Sequence, residues 1–168
     1  MPRKKQKSNK GNKNHKINWK VLIVSFAIVY LVALVGSIFT MNAVKSSWYN
    51  MIKPSITPPN YVFPIVWSIL FFLIALSLYF NWINADKKQK SSIVLIYGIN
   101  FILNILWSVL YFGMKNPLIA FFEILALLVS IISMLSVSNK ISKKAAYLLI
   151  PYLLWVGFAT ILNLLTII

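Results

Sequence analysis

Residues Trp48–Trp67, WYNMIKPSITPPNYVFPIVW, lie between two long apolar runs and hold four of the chain's seven prolines, Pro54, Pro58, Pro59 and Pro64. Proline fixes its own φ and drives the preceding residue toward extended backbone. The stretch is therefore not expected to be ordinary helix before about Tyr61. It also carries the tryptophans Trp48 and Trp67 and the tyrosines Tyr49 and Tyr61. A stiff, aromatic-rich loop between hydrophobic spans is suited to lie over a bundle as a lid. The plainer alternative is that the prolines stop one helix and start the next, with Trp48, Tyr49 and Tyr61 as interfacial anchors.

The flanking runs decide the fold class. Of 168 residues, 60% are hydrophobic and 11% charged, and mean hydropathy is +0.78. A water-soluble domain has about a quarter of its residues charged. An apolar surplus this large belongs in a bilayer, so the chain reads as an all-α, multi-pass membrane protein. A span needs about 20 apolar residues, and lysines mark the limits. This gives a five-transmembrane-helix bundle with spans at about 21–41, 61–83, 92–112, 117–137 and 145–168. Pro117 suits a first helical position. The first run is too long for a signal-peptide core and is read as a retained span. No repeat of fixed period is visible, and an odd number of spans excludes duplication into equal halves.

The formal net charge of +15 is concentrated. Eight of the seventeen basic residues fall in residues 1–20, a tail without apolar periodicity that is expected to be disordered. Such a tail is drawn to anionic lipid headgroups at about 1 kcal/mol per charge. Nucleic acid is not the expected partner, because no aromatic side chain interleaves the lysines before Trp19. His15 stands alone among them. Counting Lys and Arg in alternate connections gives 14 on the side of the tail, the 84–91 loop and the 138–144 loop, against 3 on the other. That bias puts the N-terminus in the cytoplasm and the proline-rich loop on the opposite side of the cell membrane. Without cysteine there is no disulfide framework and no thiolate metal site. No Ser/His/Asp set, phosphate-binding glycine loop or metal cluster is present either, so no metal and no conventional enzyme chemistry are expected.

Some polar positions inside the spans follow a helical face. In the third, Asn100, Asn104, Trp107, Ser108 and Tyr111 share one face and are expected to point into the bundle. They read either as interhelical hydrogen bonding or as the polar wall of a ligand cavity. In the fifth, Tyr147, Pro151, Trp155, Ala159 and Asn163 are spaced four apart, and Pro151 is expected to kink the helix and free a carbonyl near Tyr147. Glu123 is the one acid within a span and is expected to be protonated or to accept hydrogen bonds from the asparagine stripe. Trp19 and Trp82 fit membrane interfaces, whereas Trp67, Trp107 and Trp155 lie deeper. Those three predict a pocket for a flat, apolar molecule, open to the same side as the loop.

Three motifs, WYNMIKPSITPPNYVFPIVW, LNILWSVLYFG (Leu103–Gly113) and PYLLWVGFATILN (Pro151–Asn163), occur in the order of the TspO/MBR family, which the chain resembles over residues 21–168. These are the tryptophan-rich sensory proteins, whose animal members are called translocator protein or peripheral benzodiazepine receptor. The resemblance implies a five-helix bundle, often a homodimer, that binds porphyrin or heme as a ligand and needs no cofactor. It places Trp48, Tyr49, Pro59, Trp67, Asn104, Trp107, Trp155 and Ala159 around the ligand. Trp67 and Trp155 match the tryptophans of the photo-oxidation proposed for some members. Leu164–Ile168, LLTII, holds neither the tyrosine nor the arginine of the cholesterol-recognition segment of animal members.

The function expected first is tetrapyrrole binding with a sensory or regulatory role in porphyrin handling and oxidative stress. A light-dependent porphyrin-degrading catalyst acting through Trp67 and Trp155 is the second reading. A transporter of porphyrins or small amphiphiles is the third, less favoured because no internal repeat supports it.

Overall fold

The computed structural model describes residues 17–168, so the tail lies outside the described residues except at its last four positions. Two of those, Trp19 and Lys20, already belong to the first helix, because the Asn18 side chain accepts from the Val21 amide and starts the helix early.

Among the described residues, five helices are long and apolar enough to cross a membrane. They are α1 (Trp19–Thr40), α3 (Val62–Asn84), α4 (Lys87–Ser108), α5 (Pro117–Ile141) and α6 (Lys143–Leu165), with a short α2 (Ser47–Ile52) after the first. Among the described residues there is no strand. Both α4 and α6 begin before the apolar residues do. Asp86 and Gln89 form a reciprocal capping box at the start of α4, with bonds of 2.8 and 2.9 Å, and Ser142 caps α6. Lysines are tolerated in these first turns because their stems follow the apolar surface while the ammonium reaches water.

The spans close into a ring in the order α1, α3, α6, α5, α4. Since they alternate in direction, one end gathers the 41–61 connection, the 114–116 turn and the end of α6. The other end gathers the start of α1 with the α3–α4 and α5–α6 connections, where Lys87, Lys88, Lys90, Lys140, Lys143 and Lys144 sit. These are called here the loop end and the lysine end.

The proline-rich stretch departs from expectation in its first part. Ser47–Ile52 is helix, capped by Ser46, whose hydroxyl accepts from the Tyr49 amide at 3.2 Å. The restraint of Pro54 reaches back only to Lys53, which is extended with ψ 130°, and leaves the residues before it free. Tyr49 is buried rather than interfacial, 5.7 Å from the Phe112 ring, and Trp48 meets Tyr111 edge-on at 6.0 Å. Further along, the Asn60 side chain donates to the carbonyl of Val44 at 3.1 Å and fastens the loop to its own start.

The platform under α2 is a widened turn. After Ser108, α4 continues as a π-helical turn over Val109–Gly113, in which the Met114 amide donates to the Val109 carbonyl at 2.7 Å. Tyr111 and Phe112 are both buried there. A Cβ on Gly113 would stand 3.1 Å from Phe39 of α1, so only glycine lets the two helix ends approach this closely without displacing that ring.

At the lysine end a buried relay ties four helices. Asn81 (α3) donates to the Tyr97 hydroxyl (α4) at 3.1 Å and to Ser138 (α5) at 2.7 Å. Ser77 gives its proton to the Ala145 carbonyl (α6) at 2.8 Å, so Tyr97 is the donor in the 2.7 Å bond between the two hydroxyls. In hydrocarbon these groups have no water to turn to.

Replacing Asn81 with alanine should destabilise the bundle by about 1 kcal/mol, within the range of measured interhelical bonds. The check is the midpoint of unfolding in mixed detergent, with Ile83→Ala, on the exposed side of the same helix, as the neutral reference. The docking of α2 should also depend on pH. Burial, with Tyr111 adding a smaller effect, pushes the Tyr49 phenol from 10.0 up to about 12. An unfolded phenol ionises near 10, so the unfolded chain binds fewer protons between about pH 10 and 12 and stability falls as pH rises through that window. Tyr49→Phe should lose less thermal stability there than the wild type; equal losses would contradict the assignment.

Candidate functional site

The polar face of α4 is turned into the bundle. Asn100, Asn104, Ser108 and Tyr111 are buried and Trp107 is half-buried. Each amide is spent on a named partner. Asn104 donates to the Tyr152 hydroxyl at 3.1 Å, Tyr152 donates to the Asn100 carbonyl oxygen at 3.2 Å, and Asn100 donates to Ser130 at 2.8 Å. Ser130 passes its proton to the carbonyl of Leu127 at 2.7 Å. This string crosses the middle of the membrane and joins α4, α5 and α6. Nearer the loop end, the Trp107 indole donates to Asn163 at 3.2 Å, and Asn163 donates to the Pro117 carbonyl at 2.8 Å.

Tyr152, fully buried at 0% exposure, is the hub that the sequence reading missed. The four-residue series on α6 does not keep to one face, because each step of four advances about 40° on a helix of 3.6 residues per turn. Tyr147 and Pro151, at one end of the series, are exposed, while Asn163, at the other, is buried. The inward face is Ala145, Leu149, Tyr152, Val156 and Asn163, the mixed three-and-four spacing that would have revealed Tyr152. The helix runs on through Pro151.

The deep tryptophans come from three helices and pack against a single core. Trp67 lies 5.4 Å from Phe71 and meets Tyr152 edge-on at 6.2 Å. Trp155 meets Phe63 at 5.8 Å and Phe158 at 5.6 Å. Trp107 stacks on Tyr111 at 5.0 Å and joins this core to the nest of Trp48, Tyr49 and Phe112. Of the remaining residues placed around a ligand by sequence, Ala159 packs on the core, whereas Pro59 is exposed. At the outer positions, Trp19 is exposed and Trp82 carries the ammonium of Lys90 at 5.3 Å over its ring.

A cleft of about 400 Å³ lies between α3 and α6. Val66 and Ile69 from α3 and Pro151, Leu154, Trp155 and Phe158 from α6 line it over a floor of Leu70. It opens on the outer surface of the bundle, where Ile69 and Leu154 are exposed. Among the residues assigned to a ligand, only Trp155 lines this cleft. Trp67, Trp107 and Trp155 thus share one core, and the cleft lies at the ring of Trp155.

Glu123 is buried, and neither carboxyl oxygen has a hydrogen-bond partner. It accepts nothing from the asparagine stripe, whose side chains are turned to Tyr152 and Ser130 instead. Among the described residues no three His, Cys, Asp or Glu side chains come together.

The model of the TspO/MBR family matches residues 25–168. A tryptophan-rich protein TspO of Archaeoglobus fulgidus is 38% identical over 145 residues, covering 84% of this chain and 92% of that protein. A tryptophan-rich sensory protein of Cereibacter sphaeroides is 26% identical, covering 88% and 89%. The translocator protein of Ovis aries is 29% identical, covering 69% and 70%. Family match, five membrane-spanning helices and the tryptophan-bearing motifs agree: this multi-pass membrane protein belongs to the TspO/MBR family.

Proposed function

We propose that the protein binds a tetrapyrrole, porphyrin or heme, as a ligand within the membrane and has a sensory or regulatory role. The observation that carries this reading is the convergence of Trp67, Trp107 and Trp155, from three helices, on one core. Indole rings offer a large, flat, polarisable surface to a conjugated macrocycle, and aromatic contacts of this kind contribute about 0.5–1.5 kcal/mol each beyond area burial. Asn104, next to Tyr152, supplies a polar group on the same wall. Trp48 and Tyr49, seated on the end of α4, close the loop end above it. The names of the relatives in Cereibacter sphaeroides, a sensory protein, and in Ovis aries, a translocator, fit a role in sensing or handling a small molecule.

The lysine end faces the cytoplasm in this reading, as the distribution of basic residues favours, and the basic tail is held to anionic headgroups. The loop end then faces the opposite side, from which the ligand approaches.

Titration with protoporphyrin IX in lipid nanodiscs tests the reading. A saturable shift of the porphyrin absorption band is expected, weakened about 2- to 10-fold by Trp155→Ala or Asn104→Ala, the range set by one aromatic contact or one hydrogen bond. No shift beyond that of protein-free nanodiscs would overturn it. Under illumination in air the band of the bound porphyrin is expected to persist. Bleaching that requires protein and stops in Trp67→Phe would assign photo-oxidation in place of binding alone.

A further inference from the structure

We propose that the lysine end carries a binding site for a membrane lipid with two phosphates, of the diphosphatidylglycerol class, on the side of the bundle formed by α4, α5 and α6. One phosphate meets Lys87 and Lys88 at the start of α4. The other meets Lys143 and Lys144 at the start of α6, with Lys140 at the end of α5 between the two pairs.

Charge at this end is unbalanced. Lys87, Lys88, Lys140, Lys143 and Lys144 are all exposed. The chain has two acids, and Glu123 lies in the half of α5 toward the loop end. The other, Asp86, accepts from the Gln89 amide at 2.8 Å in the capping box. Lys90 holds its ammonium over the Trp82 ring and is left out of the site. Bonds of the buried relay bring the lysine pairs to one place. Asn81, one turn before the α3–α4 connection, donates to Ser138, two residues before Lys140. Ser77 donates to the carbonyl of Ala145, the residue after Lys144. Because α5 packs against both α4 and α6, its last turn stands between the two pairs.

What lies below the lysines identifies the anion as a lipid. On α4, Lys88, Leu95, Ile102 and Leu106 fall at i, i+7, i+14 and i+18, share one helical face and are exposed. On α6, Lys143, Tyr147, Ile150 and Leu154 do the same at i, i+4, i+7 and i+11. On α5 the exposed column runs back from Lys140 through Ser136, Ile132 and Val129. The Ser136 hydroxyl is turned onto the Ile132 carbonyl at 2.9 Å, so the column offers little but apolar surface. Ammonium groups above exposed apolar columns match an amphiphile, with phosphates at the lysines and acyl chains along the helices. A soluble polyanion would use the lysines and leave the columns idle. A lipid with one phosphate would satisfy one pair and leave the other. The site does not rest on the tetrapyrrole reading and uses none of its residues.

The test uses the full-length protein in phosphatidylcholine nanodiscs that contain diphosphatidylglycerol or, at equal total phosphate, phosphatidylglycerol. Native mass spectrometry reads the lipid that stays on the protein. Wild type should retain diphosphatidylglycerol in preference to phosphatidylglycerol. Lys87→Gln with Lys88→Gln and, separately, Lys143→Gln with Lys144→Gln should each weaken retention about 30-fold, the effect of two interfacial charges. Lys4→Gln with Lys5→Gln takes the same charge from the tail and should leave the preference intact. Equal retention of the two lipids by the wild type would overturn the proposal. So would a loss in the tail variant as large as in the others, which would assign the lipid to the tail. The water-soluble headgroup freed of its acyl chains is the last arm and should not displace the lipid at equal concentration. Displacement by it would assign a site for a free anion instead.

Discussion

An amide or hydroxyl buried in hydrocarbon has to find its partner within the protein, and this requirement organises the bundle. The apolar faces of the helices gain little from one another that lipid would not also supply. What fixes their order is the polar side chains distributed along α4, which between them bond to α3, α5 and α6. Tyr97 reaches α3 at the lysine end, Asn100 and Asn104 reach α5 and α6 at mid-depth, and Trp107 reaches α6 near the loop end. Register slips along α4 would break all of these together.

The same constraint explains what could be read from the sequence. The spans were legible because hydrophobic length and lysine punctuation are set by bilayer thickness alone. The inward face of α4 was legible because asparagine has few tolerable positions in a membrane. Tyr152 was not, because tyrosine is at home at interfaces as well as in cores, and a four-residue ruler drifts around the helix. Ser77 and Asn81 of α3 and Ser138 of α5 were overlooked for a related reason: no spacing within one helix announces a contact with another. The helical turn at Ser47–Ile52 escaped notice because prolines restrain what immediately precedes them, and the nearest was too far downstream.

Aromatic side chains add a second layer on this frame. The π-helical turn at the end of α4 buries both Tyr111 and Phe112 and gives Trp48 and Tyr49 a surface to settle on. Trp107 belongs to that nest and to the main core, so the loop end and the membrane interior share a ring. A molecule that displaced Trp107 would disturb the seat of α2 and the Asn163 bond in one movement, a physical link between an intramembrane ligand and the surface loop.

The strings of hydrogen bonds that cross the bundle have a direction. Each begins at an amide or indole N–H, of Asn81, Asn104 or Trp107, and each ends on a backbone carbonyl, of Ala145, Leu127 or Pro117. Such N–H groups keep their hydrogen at any pH a cell maintains, and a peptide carbonyl does not take one up. None of the three strings can therefore act as a wire for hopping protons.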